Sequence, residues 1–264
     1  MNINEVKRFA LLIDADNAQA TAIDAILTEA ARYGDVTSRR CYGDWTSPHS
    51  KSWKEVLNKH AIQPMQQFAY TVGKNATDSA LIIDAMDLLY TGKFNGFFLV
   101  SSDSDFTKLA TRLREAGLEV IGVGKQNTPE AFRSACNKFI FTETITEDGN
   151  KEKELKSEGN NGIEQISKNT ASTLEKNDSA KPSPKTASTK KLKKLITDAV
   201  NSASEDDGWA NLGEVGSYLN RIDSSFDPRN FGFPKLSSLV KSLNYVHYKN
   251  INLTHFVKLK DGNA

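Results

Sequence analysis

The sequence predicts an α/β protein with a parallel sheet covered by helices on both faces, followed by a smaller second domain. Across the first 145 residues, short continuous apolar runs alternate with segments of helical spacing, as in consecutive βαβ units. Residues 146–188 are rich in Lys, Glu, Ser, Asn and Thr, with few large apolar side chains, so we expect a disordered polar linker there. The expected domains are therefore 1–145 and 189–264, joined by that linker.

The strands of the first domain are predicted from its apolar runs. Phe9–Ile13 is entirely apolar and ends at Asp14, as expected for a strand buried on both faces. Further strands are expected at Val36–Tyr42, Ile62–Phe68, Gly96–Val100, Leu118–Val123 and Phe139–Phe141.

The helices between these strands are predicted from apolar residues spaced three or four apart. The first ends at Gly34, a residue typical of helix C-termini. A later one follows Pro129, which favours the start of a helix. The expected helices are Ala18–Tyr33, Trp53–Lys59, Thr77–Tyr90, Phe106–Ala116 and Phe132–Cys136.

The second domain shows helical patterns followed by two strand-like runs. Helices are expected at Lys190–Val200, Gly208–Leu219 and Phe231–Val240, and strands at Tyr245–Tyr248 and Thr254–Leu259. Helices followed by a β-hairpin are the order found in winged-helix modules. We therefore predict a small winged-helix domain at the end of this chain.

The composition excludes several classes of protein. A chain of 264 residues with 38% hydrophobic and 25% charged side chains is typical of a globular protein and excludes wholesale disorder. No apolar run approaches the length of a membrane span, and the first residues lack a signal-peptide pattern, so we expect a cytoplasmic protein with no membrane partner. Two cysteines, Cys41 and Cys136, are too few for a disulfide framework.

The net charge of +1 does not exclude a polyanionic partner, because the segments differ. Residues 1–145 carry 16 basic and 17 acidic side chains, whereas residues 190–264 carry 11 and 8. In the second domain, Lys190 and Lys191 open a run of lysines, and Lys235 lies on the predicted third helix. These side chains are candidates for phosphate contacts, and the alternative is a plain solvated basic face.

Acidic residues follow two of the predicted strands directly. Asp14 ends the first strand, and Asp103 and Asp105 follow the fourth, Gly96–Val100. Because ligands of parallel sheets bind outside the carboxyl ends of the strands, these acids lie at the expected site. A helix turns by about 100° per residue, which places Asp78 on the sheet-facing stripe of the third helix and turns Asp84 away from it.

Four carboxylates at one edge of a sheet repel one another unless a cation lies among them. An oxygen-only set suits Mg²⁺ or Mn²⁺, and such an ion could orient a water and polarise a phosphodiester. Two alternatives remain open at this point. The acids could be helix N-caps with a purely structural role, or one of them could be a phosphoacceptor.

Basic residues lie near the same edge in the sequence. Lys74 precedes the helix of Asp78, Lys108 and Arg112 follow Asp105 by one or two helical turns, and Lys125 closes the fifth strand. They are candidates for binding a phosphate chain, although exposed basic side chains are commonly just solvated surface.

The first domain resembles the NYN domain family through four segments in order. These are LLIDADNAQ, GKNATDSALIIDAMDLLY, FFLVSSDSDFTKLATRLREAGLEVIGVG and TPEAFRSACNKFIF, which cover roughly residues 6–143. The branch that it resembles is the LabA-like or limkain-type one. The resemblance implies a PIN-like, Rossmannoid fold and a metal-dependent ribonuclease. It places the acidic set on Asp14, Asp78, Asp103 and Asp105, with Asn17 and Ser102 as supporting polar residues.

The second domain resembles the OST-HTH/LOTUS domain through GWANLGEVGSYL and FDPRNFGFPKLSSLVKSL, over about residues 189–260. The resemblance implies binding of RNA or of a protein. Together, the two resemblances suggest a Mg²⁺- or Mn²⁺-dependent ribonuclease, a hydrolase of phosphodiester bonds, with a tethered RNA-binding module. The alternative is a catalytically silent RNA-binding or scaffold protein.

Overall fold

The computed structural model describes residues 6–46, 50–68, 76–146 and 186–260. Lys74 and residues 147–185, most of the predicted linker, lie outside these ranges. The chain forms two compact units. The first contains the residues up to Thr146 together with Leu219–Asp227, and the second contains residues 186–218 and those from Pro228 onward. None of the helices in the described ranges has the length and apolar character needed to cross a bilayer.

The first unit is built on a parallel six-stranded sheet with the order β3-β2-β1-β4-β5-β6. Its strands are β1 (Arg8–Asp14), β2 (Asp35–Gly43), β3 (Gln63–Gln66), β4 (Gly96–Val100), β5 (Glu119–Gly124) and β6 (Lys138–Phe141). Its helices are α1 (Ile23–Ala30), α2 (Lys51–Lys59), α3 (Ala76–Tyr90), α4 (Thr107–Glu115), α5 (Glu130–Ala135) and α6 (142–146).

The central strand β1 is covered on both faces, which confirms the prediction from its continuous apolar run. Phe9, Leu11 and Ile13 pack on one side in a core that includes residues of α1. Ala10 and Leu12 pack on the other side against α3 and α4. Side chains alternate along a strand, so Asp14 shares the face of Ala10 and Leu12, the same face that α3 covers.

The strand order reverses beside β1, and this reversal positions the site. The chain proceeds outward from β1 to β2 and β3, then returns to place β4 on the other side of β1. Adjacent crossovers on opposite faces leave a crevice at the carboxyl ends of the two strands. Asp14 ends β1 at this point, and Ser101 follows the last residue of β4.

Several bounds differ from the sequence prediction. The first helix does not begin at Ala18, because the segment after β1 forms a turn in which the Ala18 amide donates to the Asp14 carbonyl, and a 3₁₀ turn at Ala20–Ala22 precedes α1. The third strand is four residues long and contains Pro64, which suits an edge strand. Helix α6 was not predicted.

The second unit contains an antiparallel three-stranded sheet with the order β7-β9-β8. Its elements are α7 (Thr186–Ala203), β7 (Ala210–Asn211), α8 (Leu212–Ile222), α9 (Leu236–Ser242), β8 (Val246–Ile251) and β9 (Thr254–Leu259). The residues of α8 from Leu219 onward are grouped with the first unit. Strand β7 was missed, because two residues are too short for a periodicity. The third helix was predicted to begin at Phe231, but Phe231 ends a 3₁₀ turn, Pro228–Phe231, and α9 begins only at Leu236, after Gly232, whose φ is +81°, and Pro234.

The substitution Gly96→Ala is expected to destabilise the first unit by about 3 kcal/mol. An added Cβ would lie 2.4 Å from the Glu119 carbonyl oxygen and 2.5 Å from the Phe9 ring, both fixed within the core. As the control, Gly92→Ala meets no atom within 4 Å but has a φ of +64°, so it costs only about 1 kcal/mol. Urea unfolding followed by fluorescence measures both. Equal losses for the two variants would contradict this account of the packing at β4.

Candidate metal centre

The carboxylate of Asp14 is fully buried at the end of β1. Its Oδ1 accepts a hydrogen bond from the Asp16 amide at 3.0 Å, and its Oδ2 accepts from Asn17 Nδ2 at 2.9 Å and Ser101 Oγ at 2.8 Å. Burial raises the pKa of Asp14, although these hydrogen bonds act in the opposite direction. Asn17 therefore supports Asp14 directly.

Ser101 connects Asp14 to the acids that follow β4. Its hydroxyl donates to Asp14 and accepts a 3.0 Å hydrogen bond from the Asp103 amide. The side chain of Asp103 then accepts from the Asp105 amide at 2.9 Å, capping the 3₁₀ turn Ser104–Phe106. The capping role that the sequence left open for Asp103 is thus present, and it uses Oδ1 of that carboxylate.

Ser102 stabilises the same loop from the other side. Its Oγ accepts a 2.9 Å hydrogen bond from the amide of Lys125, the residue after β5. Ser102 therefore ties the loop after β4 to the end of the neighbouring strand. Sequence reasoning named Ser102 but missed Ser101, whose position directly after a buried strand and beside an acid was the available signal.

Asp78 joins this group from the first turn of α3. One carboxylate oxygen from each of Asp78, Asp103 and Asp105 lies within 4.8 Å of the other two. Asp78 and Asp103 are half-buried and Asp105 is exposed. The structure thus brings together three of the four predicted acids, and Asp14 lies behind them without belonging to this set.

Among the three converging acids, Asp78 has a raised pKa. Burial is the main cause that raises its pKa to about 6, and repulsion from Asp14, Asp103, Asp105 and Asp16 adds to it. The contribution of Asp16 was not predicted, since its sequence position suggested a helix cap. A cation among these groups would favour the ionised form of Asp78.

The donors fit a hard divalent cation. Within the described part of the chain, three carboxylates converge and no nitrogen or sulfur donor joins them, a set that suits Mg²⁺ or Mn²⁺. Asp78, Asp103 and Asp105 are the residues that would hold such an ion. Both oxygens of Asp14 already accept hydrogen bonds from the chain, so its role as a metal ligand stays a prediction.

A second charged group on α3 was not predicted. The Asp84 carboxylate accepts hydrogen bonds from the Arg40 guanidinium and the Tyr42 hydroxyl, both on β2. Asp84 was expected to face away from the sheet. In the structure, its side chain instead contacts strand β2 from the side of α3. The sequence did contain a signal for this pairing. Arg40 is a basic residue within a predicted strand, on the same face as Tyr42, and Tyr42 is buried, so Arg40 needed an acidic partner nearby.

The predicted phosphate-binding residues are distributed over both units. Lys125 is half-buried directly after β5, and Lys108 and Arg112 are exposed on α4, where Arg112 contacts the Tyr90 hydroxyl at 3.4 Å. In the second unit, Lys190 and Lys191 are exposed on α7, and Lys235 is exposed just before α9. Their roles in binding nucleic acid remain predictions.

Two family models match the chain. The NYN domain matches residues 8–145, and the OST-HTH/LOTUS domain matches residues 187–254. No curated protein matches significantly.

Solved structures of three proteins resemble parts of the chain. A protein of unknown function from Vibrio parahaemolyticus is 18% identical, with a TM-score of 0.45, over 53% of this chain and 96% of that one. Residues 175–257 of a protein from Chromobacterium violaceum are 38% identical, with a TM-score of 0.24, over 26% and 80%. An uncharacterised protein from Nitrosomonas europaea is 27% identical, with a TM-score of 0.25, over 37% and 92%.

The substitution Asp78→Asn is expected to raise the Tm at pH 7 in EDTA, because it removes a carboxylate that is partly buried and repelled by its neighbours. The pKa of Asp78 is about 6 in the folded protein and 3.8 ordinarily, so the folded form binds the proton more tightly. This group therefore lowers stability progressively as the pH rises from about 4 to about 6. The gain in Tm should be smaller at pH 5 than at pH 7, and scanning fluorimetry measures it.

Asp87→Asn is the matched control, since Asp87 is exposed on the same helix outside the cluster. An equal gain from both variants, or a gain for Asp78→Asn that does not change with pH, would contradict this account of the raised pKa of Asp78.

Proposed function

Because the chain belongs to the NYN domain family, we propose that it is a ribonuclease that hydrolyses RNA with Mg²⁺ or Mn²⁺ held by its strand-end carboxylates. The observation that carries this proposal is the convergence of Asp78, Asp103 and Asp105 within 4.8 Å at the point where the strand order reverses. Membership of a PIN-like nuclease family and an acidic cluster at the ligand-binding edge of the sheet support an RNA-related nuclease.

The chemistry divides between the ion and the residues of this chain. A bound divalent ion would supply a Lewis acid for the phosphodiester and lower the pKa of a water. Asp78, Asp103 and Asp105 would hold the ion, and Asp78 could also position the attacking water. In the hydrolysis, the water gives up one proton as its oxygen bonds to phosphorus. The bond from phosphorus to the leaving ribose oxygen breaks, and that oxygen takes up one proton, so that one water is divided between the two products.

Residues behind the cluster keep its geometry fixed. Asp14 accepts hydrogen bonds from Asn17 and Ser101, and the Ser101 hydroxyl in turn accepts one from the amide of Asp103. A cluster fixed in this way needs little reorganisation when substrate binds, which is the condition under which electrostatic catalysis is most effective. The backbone amide of Lys125 is bonded to Ser102 beside this loop, and we expect the Lys125 side chain to contact a phosphate next to the cleaved one.

The second unit supports RNA as the substrate. It matches the OST-HTH/LOTUS domain, and its basic residues Lys190, Lys191 and Lys235 are candidates for contacting phosphates. Tethering such a module to the catalytic unit would raise the local concentration of RNA at the acidic cluster. A protein partner of this unit is the alternative to RNA.

Wild-type protein with Mn²⁺ is expected to degrade a labelled single-stranded RNA, and Asp103→Asn to lower the rate by about 100-fold or more, the scale expected when a transition-state electrostatic contact is lost. Gel analysis of the products over time measures the rates. EDTA should abolish cleavage by the wild type, and Asp87→Asn, outside the cluster, should cleave as the wild type does.

Degradation that is equal in the wild type and Asp103→Asn and insensitive to EDTA would come from a contaminant and would overturn the proposal. RNA binding without cleavage by any of these proteins would favour the RNA-binding or scaffold function instead.

A further inference from the structure

The hairpin between β8 and β9 has an unusual tip. Its two turn residues, Asn252 and Leu253, have φ values of +50° and +68°. This is the pattern of a two-residue type I′ turn, in which Asn followed by Gly is the favoured sequence. Asn tolerates the left-handed conformation well, whereas Leu rarely adopts it.

Leu253 is disfavoured at this position for a second reason. Its side chain is 92% exposed, and the neighbouring Ile251 is 48% exposed. Glycine would relieve the backbone strain and remove the exposed apolar surface at once. Backbone strain of this kind clusters at functional sites, and Leu253 and Ile251 together make the tip of this hairpin apolar.

The sheet next to this tip carries an aromatic and cationic face. Lys249 and Phe256 are paired across β8 and β9, and Trp209 precedes β7, the strand on the other side of β9. The Lys249 ammonium lies 3.9 Å from the centroid of the Trp209 ring and 5.5 Å from that of Phe256. Within residues 186–260, Lys249 forms no ion pair, so aromatic rings rather than an acid hold its charge.

The charge of the hairpin selects the kind of partner. Residues 245–260 contain three lysines, two histidines and no Asp or Glu. Lys258 and Lys260 donate hydrogen bonds to backbone carbonyls, those of Asp207 and Asn244. The nearest acids before β7 are those of Glu205–Asp207, and the Asp207 carboxylate accepts from the Trp209 amide. The positive charge of the hairpin itself favours an anionic partner such as a phosphate chain, and the acids of Glu205–Asp207 lie outside the hairpin, on the segment before β7.

We propose that residues 246–259 together with Trp209, which we name the wing surface, bind single-stranded nucleic acid. Lys249 contacts a phosphate, Trp209 and Phe256 contact unstacked bases, and Leu253 makes an apolar contact with a further base at the tip. Aromatic side chains interleaved with cations suit single strands, because a duplex hides the faces of its bases. The proposal rests on the RNA-related function above and adds a binding surface distinct from Lys190, Lys191 and Lys235.

The test uses the full chain in EDTA, where cleavage is blocked, and a fluorescein-labelled twenty-nucleotide oligouridine followed by anisotropy. Leu253→Gly is expected to raise the Tm yet weaken binding about fivefold, the lower end of the scale for losing one stacked or apolar base contact.

Phe256→Leu should weaken binding about tenfold. Lys249→Gln should weaken it and reduce the slope of log affinity against log salt by about one. Asp87→Asn, which lies on α3 and outside the wing surface, is the control and should leave the affinity within about twofold of the wild type.

The outcomes separate this proposal from the function above. Unchanged affinity in Leu253→Gly and Phe256→Leu, with a loss in a Lys190→Gln/Lys191→Gln variant, would assign RNA binding to α7 and overturn the wing surface alone. A duplex of the same length that binds as tightly as the single strand would also overturn the wing surface. If Leu253→Gly binds RNA as tightly as the wild type, Leu253 does not contact RNA; this would overturn the proposal and favour a protein partner at the tip of the hairpin. Absence of RNA binding by the wild type would overturn both the wing surface and the RNA-binding role of the second unit.

Discussion

The hydrogen bonds accepted by the buried Asp14 carboxylate are the constraint on which the candidate site depends. An ionisable group at the end of a fully apolar strand is tolerated only when its oxygens are satisfied, and here Asp16, Asn17 and Ser101 supply the donors. The Ser101 hydroxyl also accepts a hydrogen bond from the Asp103 amide, and the Asp103 carboxylate accepts one from the Asp105 amide. One chain of hydrogen bonds thus runs from the core of the sheet to the acids that face solvent.

The charges of two acids on helix α3, Asp84 and Asp78, are balanced differently within the protein. Asp84 is balanced within the protein by Arg40 and Tyr42. In the described residues, by contrast, no basic side chain forms an ion pair with Asp78 or Asp103. Burial, together with repulsion from the neighbouring carboxylates, raises the pKa of Asp78 to about 6. The negative charge left at the crevice is what an external cation would neutralise. The net charge of the whole chain, +1, conceals this local imbalance.

The sequence predicted the features that depend on periodicity and missed those that depend on tertiary contacts. Continuous apolar runs indicated the parallel sheet, and helical spacing placed Asp78 on the sheet-facing side of α3. The pairing of Asp84 with Arg40 was missed, because an angle on a helical wheel does not show how wide the sheet beneath it is. The hydrogen bonds by which Ser101 links Asp14 to Asp103 could not be predicted without knowing that β1 and β4 are neighbours in the sheet. The strain at Leu253 was also invisible in the sequence, since it arises from the two-residue turn that joins β8 to β9.

A crystal structure of the protein grown with Mn²⁺, with data collected at the manganese absorption edge, tests the central claim most directly. The account predicts an anomalous peak bonded to oxygens of Asp78, Asp103 and Asp105, at about 2.0–2.3 Å from each ligand, as is usual for a hard divalent ion on carboxylates. A well-ordered cluster with no anomalous peak among these three carboxylates at saturating Mn²⁺ would contradict it.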